Sequence, residues 1–246
     1  MGVKMEDMLV KIASDLIKIN SQNPPGYTDE VVNYIKELLD SHGIHYDIYE
    51  FEKKKPNLIA KIGNGSPTLI LNGHMDVVPP GEESKWIYPP FSGKILDDKI
   101  FGRGATDMKG GLATILLSTI DLSDLVEKSG GSLVFIASAD EEVGGHAGMH
   151  GLVEHNLIKG DAALIAEPSG YNRVSIGEKG LCQTKIVTRG IPSHGSLPLL
   201  GENAILKMYN AIELSRKSVE ELNSKIKIPE DIDLAIKETA KTYGPI

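Results

Sequence analysis

Three short runs, Thr68 to Asn72, Leu133 to Ala139 and Ala162 to Ala166, are almost wholly apolar, and each leads directly into imidazole or carboxylate side chains. An apolar run of this length suits a strand covered on both faces, because a strand with one wet face alternates instead. Around them lie stripes at helical spacing: Met8, Leu9, Ile12, Ala13, Leu16 and Ile19, then Val31, Val32, Ile35, Leu38 and Leu39, with Thr28 as the expected cap and Gly43 as the stop. Gly110 to Leu122 predicts an apolar helix after a glycine-rich loop, and a helical segment is expected around Ala147 to Glu154. Two more strands are expected at Ile44 to Glu50 and Leu58 to Ile62, and a hairpin over Lys94 to Phe101 turning at Asp97-Asp98. Strands alternating with helices predict an α/β fold, a sheet with helices on both faces. Past Gly177 a strand from Leu181 to Arg189, a Gly/Pro/Ser loop and a helix from Glu202 to about Glu221 are expected to open a second unit.

Charge and cysteine content narrow the chemistry. The 34 acidic and 26 basic side chains leave a formal charge of −8, which repels nucleic acid and anionic membranes. No run approaches the roughly 18 apolar residues of a membrane span, and Met1 to Asn20 lacks a signal-peptide core, so a cytoplasmic location is expected. Cys182 is the single cysteine in 246 residues, so any metal site must be built from His and carboxylates.

Such residues gather at the predicted strand ends, where open α/β sheets place ligand crevices. His74 and Asp76 fall on the same side of the chain after the first run, and a carboxylate two residues from an imidazole can orient it. Asp107 lies in a loop with four glycines, Gly102, Gly104, Gly110 and Gly111, whose spacing fits neither the dinucleotide fingerprint nor the P-loop. Asp140-Glu141-Glu142 follows the second run, and adjacent side chains on extended backbone diverge, so one glutamate can ligate while its neighbour acts as a base. Glu167 ends the third run before Pro168. Singly, these pieces read more readily as a polar strand end or a solvated acidic turn. Together, one imidazole and several carboxylates in one crevice repel each other without cations, and the donor set suits two ions of zinc, cobalt or manganese.

The ordered series Gly73-His74-Met75-Asp76-Val77-Val78-Pro79, Trp86 with Pro90-Phe91, Gly102 to Gly111, Glu141-Glu142 and Glu167-Pro168 resembles the acetylornithine deacetylase and succinyl-diaminopimelate desuccinylase family of dinuclear zinc peptidases, which also holds carboxypeptidases and aminoacylases. The resemblance implies a zinc-peptidase-like catalytic domain over residues 1–177, with a mixed central sheet flanked by helices, and a partial α+β lid or dimerisation domain over 178–246. It implies that His74 binds one metal, Asp107 bridges two, Glu167 completes the first site and Glu142 belongs to the second. Asp76 orients His74, and Glu141 is the general base that takes a proton from the metal-bridging water and hands it to the leaving amine. A non-proline cis peptide is implied after Asp107. His194, in Arg189-Gly190-Ile191-Pro192-Ser193-His194-Gly195-Ser196, matches the lid histidine that reaches the partner subunit's active site in a homodimer and stabilises the oxyanion.

The same pattern places a further lid segment, the rest of the sheet and a last metal-binding His beyond what is present here, so the chain resembles an N-terminal portion of a longer member. His42, His45, His146, His150 and His155 match no ligand position and are expected to serve surface or packing roles. The implied reaction is hydrolysis of an N-acyl amino acid, with carboxypeptidase or dipeptidase action on a short peptide as the close alternative. The alternative of another class is an inactive remnant that only binds metal or self-associates.

Overall fold

The computed structural model describes residues 5–170, 172–177, 180–181, 183–230, 232–234 and 236–237. Cys182 lies outside them. The chain divides into two compact units between Ile176 and Gly177.

The first unit opens with α1 (Met5–Lys18) and α2 (Asp29–Ser41), which bury Ile12, Ala13, Leu16 and Ile17, and Val31, Val32, Ile35 and Leu39. Thr28 stands at the N-cap of α2, but its hydroxyl donates to Pro56 O (2.9 Å) rather than capping the helix. Next come β1 (Tyr46–Glu50), β2 (Pro56–Ile62) and β3 (Thr68–His74). β4 (Lys94–Leu96) and β5 (Lys99–Phe101) form the expected hairpin, with Asp97 at φ 49° and Asp98 at φ 58°. Two successive positive φ values match the twist of the paired strands. Then follow α3 (Lys109–Ser129), β6 (Ser132–Ser138), α4 (Met149–Glu154) and β7 (Ala162–Ile165). α3 runs beyond the expected end at Leu122, because polar residues continue its outer face until Gly130 enters the left-handed region at φ 77°.

The sheet order is β1-β2-β6-β3-β7, antiparallel across β1/β2 and β2/β6 and parallel across β6/β3 and β3/β7. Period-two alternation divides its side chains between two cores. Leu58, Ala60, Leu71, Leu133, Phe135 and Ala137 pack with α1, α2 and α3, whereas Ile59, Ile70, Val134 and Ile136 pack with Leu152 of α4. Helices therefore cover both faces. From β3 the chain reaches β6 on one side through α3, then β7 on the other side through α4, so the C-terminal end of β3 is a topological switch point.

One strand of the first unit differs from expectation in its burial. β7 is apolar, yet all four of its residues are exposed, since among the described residues it pairs only with β3, at the sheet edge.

In the second unit α5 (Ala204–Lys225) is capped by Asn203, whose side chain accepts from Ile205 N (2.9 Å) and Leu206 N (3.2 Å). The strand expected over Leu181 to Arg189 is not formed by the described residues of that stretch. A strand needs a hydrogen-bonding neighbour, and the described pairing nearby is the single Ile191–Glu202 bridge. Among the described residues no helix is long and apolar enough to cross a membrane.

Candidate metal centre

Strand register brings the site together. His74 pairs with Ser138, and Asn72 with Ile165, so the acids after β6 and Glu167 after β7 emerge beside His74 at one edge of the sheet. Asp107 arrives from the loop that starts α3.

His74 is 2% exposed. Its Nδ1 lies 2.9 Å from Asp76 O. A carbonyl only accepts, so Nδ1 is the donor and Nε2 is left facing the cleft. That nitrogen meets Asp107 Oδ1 at 3.0 Å, Glu167 Oε1 at 3.3 Å and Glu141 Oε2 at 3.7 Å. Ionised carboxylates cannot donate, so Nε2 either carries a proton or ligates a cation. Held by protein groups alone, the imidazole is pushed up to about 9. Burial opposes that rise, and the Glu167 hydrogen bond with the charges of Asp76, Glu167 and Glu141 overcomes it.

Asp76 reaches His74 mainly through its backbone. Its carboxylate is 3.7 Å from the ring and serves the acidic turn instead. Asp76 Oδ1 accepts from Glu141 N (3.1 Å), and Oδ2 accepts from Glu142 N (3.1 Å) and Asn23 Nδ2 (2.7 Å). Asp140, at φ 65°, bends the chain into the 3-10 turn Glu141–Val143. Its carboxylate, nearly fully buried, accepts from Lys55 Nζ (2.8 Å), Ala147 N (3.2 Å) and Asn23 Nδ2 (3.3 Å). Although burial raises the Asp140 carboxyl, these donors hold it below the ordinary value. Glu141 and Glu142 shift the other way. Burial raises both, and neighbouring carboxylates, Glu167 for the former and Asp107 for the latter, add to it against the lowering charge of His74. A glutamate so raised is better matched to proton transfer near neutral pH.

The Asp107–Met108 peptide is cis, and Met108 Sδ accepts from His74 N (3.1 Å). Lys109 is fully buried, and its Nζ donates to Leu16 O (2.9 Å) and Ile19 O (2.7 Å) at the end of α1. Burial presses this amine down to about 7 against the opposing charge of Asp76. Gly111 lets α3 approach the residue just after β7, since a Cβ there would lie 2.1 Å from Ala166 O.

Two ligand sets share the imidazole: His74 with Glu141 and Glu167, and His74 with Asp107 and Glu142, with the donor atoms of each within 4.8 Å of one another. A buried imidazole with its free nitrogen among hard oxygens fits a divalent metal ion. His74, Asp76, Asp107, Glu141, Glu142 and Glu167 are thus all assembled in the first unit. His194 lies in the second, exposed, with Nδ1 2.8 Å from Ser196 Oγ. Asn23, Lys55 and Lys109 are supports that the motif reading did not single out. Asn23 stands before the pair Pro24-Pro25, and Lys109 lies inside the Asp107 loop motif, which are the signals the sequence holds.

Residues 70–244 match the peptidase family M20/M25/M40. A probable succinyl-diaminopimelate desuccinylase of Staphylococcus aureus is 36% identical over 205 residues, covering 82% of this chain and 49% of that protein. The succinyl-diaminopimelate desuccinylase of Ehrlichia canis is 34% identical over 218 residues, covering 82% of this chain and 55% of that one. The chain thus spans about half the length of the curated relatives it matches. Among solved structures, an M20 family metallo-carboxypeptidase from Sulfolobus solfataricus superposes with a TM-score of 0.57 at 28% identity, over 67% of this chain and 37% of that one.

Proposed function

Because the chain belongs to peptidase family M20/M25/M40, we propose that it acts in metal-dependent hydrolysis of the amide bond of an N-acyl amino acid, with N-succinyl-diaminopimelate as the first substrate to test. The observation that carries this reading is His74 Nε2 facing three carboxylates, with Glu141 among them. The names of the Staphylococcus and Ehrlichia relatives support the acyl group. Carboxypeptidase or dipeptidase action is the second reading, supported by the Sulfolobus neighbour.

In this proposal His74, Asp107, Glu142 and Glu167 would hold two divalent ions, zinc first and cobalt or manganese as substitutes. When bound, the ions supply Lewis-acid polarisation of the scissile carbonyl and a lower pKa for the attacking water. Glu141 takes the proton from that water and returns it to the leaving amine. Asp76 holds the backbone N–H groups of Glu141 and Glu142 and fixes the His74 tautomer through its carbonyl. His194 donates to the developing oxyanion in the partner subunit's site. The proposed setting is a cytoplasmic homodimer.

The test is a hydrolysis screen of succinyl-diaminopimelate, acetylornithine and dipeptides with zinc or cobalt. Turnover of the succinylated substrate that falls by roughly 10²–10⁴-fold in Glu141→Gln supports the proposal. Turnover indifferent to Glu141→Gln refutes the assigned base.

A further inference from the structure

Outside the acid-lined cleft, His146 and His150 bring two imidazole edges together. Their spacing of four residues places both rings on one side of the turn that enters α4, with the Nδ1 atoms 2.9 Å apart and the ring planes at 48°. On its far edge His150 Nε2 lies 3.2 Å from Glu154 Oε1, four residues further on. The carboxylate accepts, so Nε2 of His150 keeps its proton; on the neutral ring Nδ1 accepts from His146 Nδ1–H, and that proton moves to His146 Nε2 when both Nδ1 atoms bind an ion. A carboxylate behind an imidazole is the arrangement that fixes the ring and raises its basicity in metal-bound histidines. The neighbouring His155 is differently engaged, stacked on Phe51 with Nδ1 held by Gly151 O (2.8 Å).

We propose that His146 and His150 chelate a divalent transition-metal ion at a peripheral site separate from the His74 centre. This replaces the surface or packing role expected for the two residues. The spacing also ranks the metals. Two bonds of about 2.0–2.1 Å spanning the observed gap subtend about 90°, the cis angle of square-planar and octahedral complexes, whereas a tetrahedral ion needs the nitrogens about 3.3 Å apart. Cu²⁺ and Ni²⁺ therefore fit with less opening than Zn²⁺. Both rings are exposed, so they can rotate into the chelating pose and leave the remaining coordination positions to water.

Occupancy would reach the acidic turn. Gly145 N donates to Asp140 O (2.7 Å), and Gly145 O accepts from Gly148 N (3.0 Å) and His150 N (3.1 Å). An ion bridging His146 and His150 closes this segment from outside, four residues after Glu142, and stiffens the turn that presents Glu141 and Glu142.

The experiment is equilibrium dialysis of the untagged chain against Ni²⁺, with Cu²⁺ electron paramagnetic resonance, comparing wild type with His146→Gln, His150→Gln and Glu154→Gln and using His45→Gln as control. We expect each of the first two variants to lower Ni²⁺ affinity at this site at least tenfold and, in the His74→Gln background, to reduce the Cu²⁺ spectrum from two-nitrogen to one-nitrogen imidazole splitting. Glu154→Gln weakens binding less, and His45→Gln leaves it unchanged. His74→Gln, which strips the cleft of its imidazole, retains the peripheral ion, so the outcome is independent of the proposed hydrolase centre. Unchanged binding in both His146→Gln and His150→Gln, or complete loss in His74→Gln, overturns the proposal.

Discussion

Asp76→Asn tests the structure's assignment of this side chain to the acidic turn. The carboxylate is fully buried and accepts from three donors, Glu141 N through Oδ1 and Glu142 N with Asn23 Nδ2 through Oδ2. An amide keeps only one acceptor. If its oxygen takes the Oδ2 position, the Glu141 N–H faces an amide NH₂ and is orphaned, at about 1–3 kcal/mol. The two remaining bonds lose their charge assistance, adding about 1 kcal/mol, so the total cost is roughly 2–4 kcal/mol. Urea unfolding measures the total, and amide hydrogen exchange locates it. Exchange at Glu141 and Glu142 is expected to accelerate by roughly tenfold or more, since 1.4 kcal/mol corresponds to about a factor of ten. Above about pH 9, where the ring is neutral, His74 should keep its tautomer, because its Nδ1 proton goes to the main-chain carbonyl of residue 76, which the substitution preserves. Imidazole ¹⁵N shifts read that directly. Unchanged exchange at both amides, or an inverted His74 tautomer, would show that the carboxylate serves the ring and refute the reasoning.

Two further predictions concern buried lysines. Lys109 titrates at about 7 folded against 10.5 unfolded, so between these values the unfolded chain holds a proton that the folded chain lacks, and stability rises with pH by up to about 1.4 kcal/mol per unit. The neutral amine still has an N–H for each of its two carbonyl acceptors. Denaturation at several pH values should show that rise in wild type and its loss in Lys109→Met; parallel profiles would exclude it. Lys55→Met leaves the Asp140 carboxylate buried without its cation and should cost about 3–5 kcal/mol, with part regained in the double variant Lys55→Met/Asp140→Asn. Because the folded Asp140 carboxyl lies below its unfolded value of 3.8, its contribution is present above that pH and lost as pH falls through the folded value. The acid limb of the stability profile should therefore flatten in Lys55→Met, as thermal unfolding from pH 5 down to pH 2 would measure.

How much of the centre could be read from sequence follows from strand geometry. Three apolar runs pairing in parallel must end at one edge of the sheet, so residues just past their ends meet without any knowledge of the loops. That logic reaches His74, Glu141, Glu142 and Glu167. It does not reach Asn23, Lys55 or Lys109, whose partners lie 53 and 117, 85, and 93 or 90 positions away in the chain, separations that leave no periodic trace. Nor does period two decide what Asp76 does: beyond β3 the backbone leaves strand geometry, and the residue presents its carbonyl to the ring and its carboxylate to the turn. The unread supports bear on the read ones. Lys55 is directed to Asp140 and Glu52, and Lys109 to the last carbonyls of α1, so neither buried ammonium donates to the carboxylates around His74. The lysines support the surrounding backbone and leave the carboxylates around His74 without a lysine partner, so their negative charge is met either by the Nε2 proton or, in its place, by a divalent cation bound to that nitrogen.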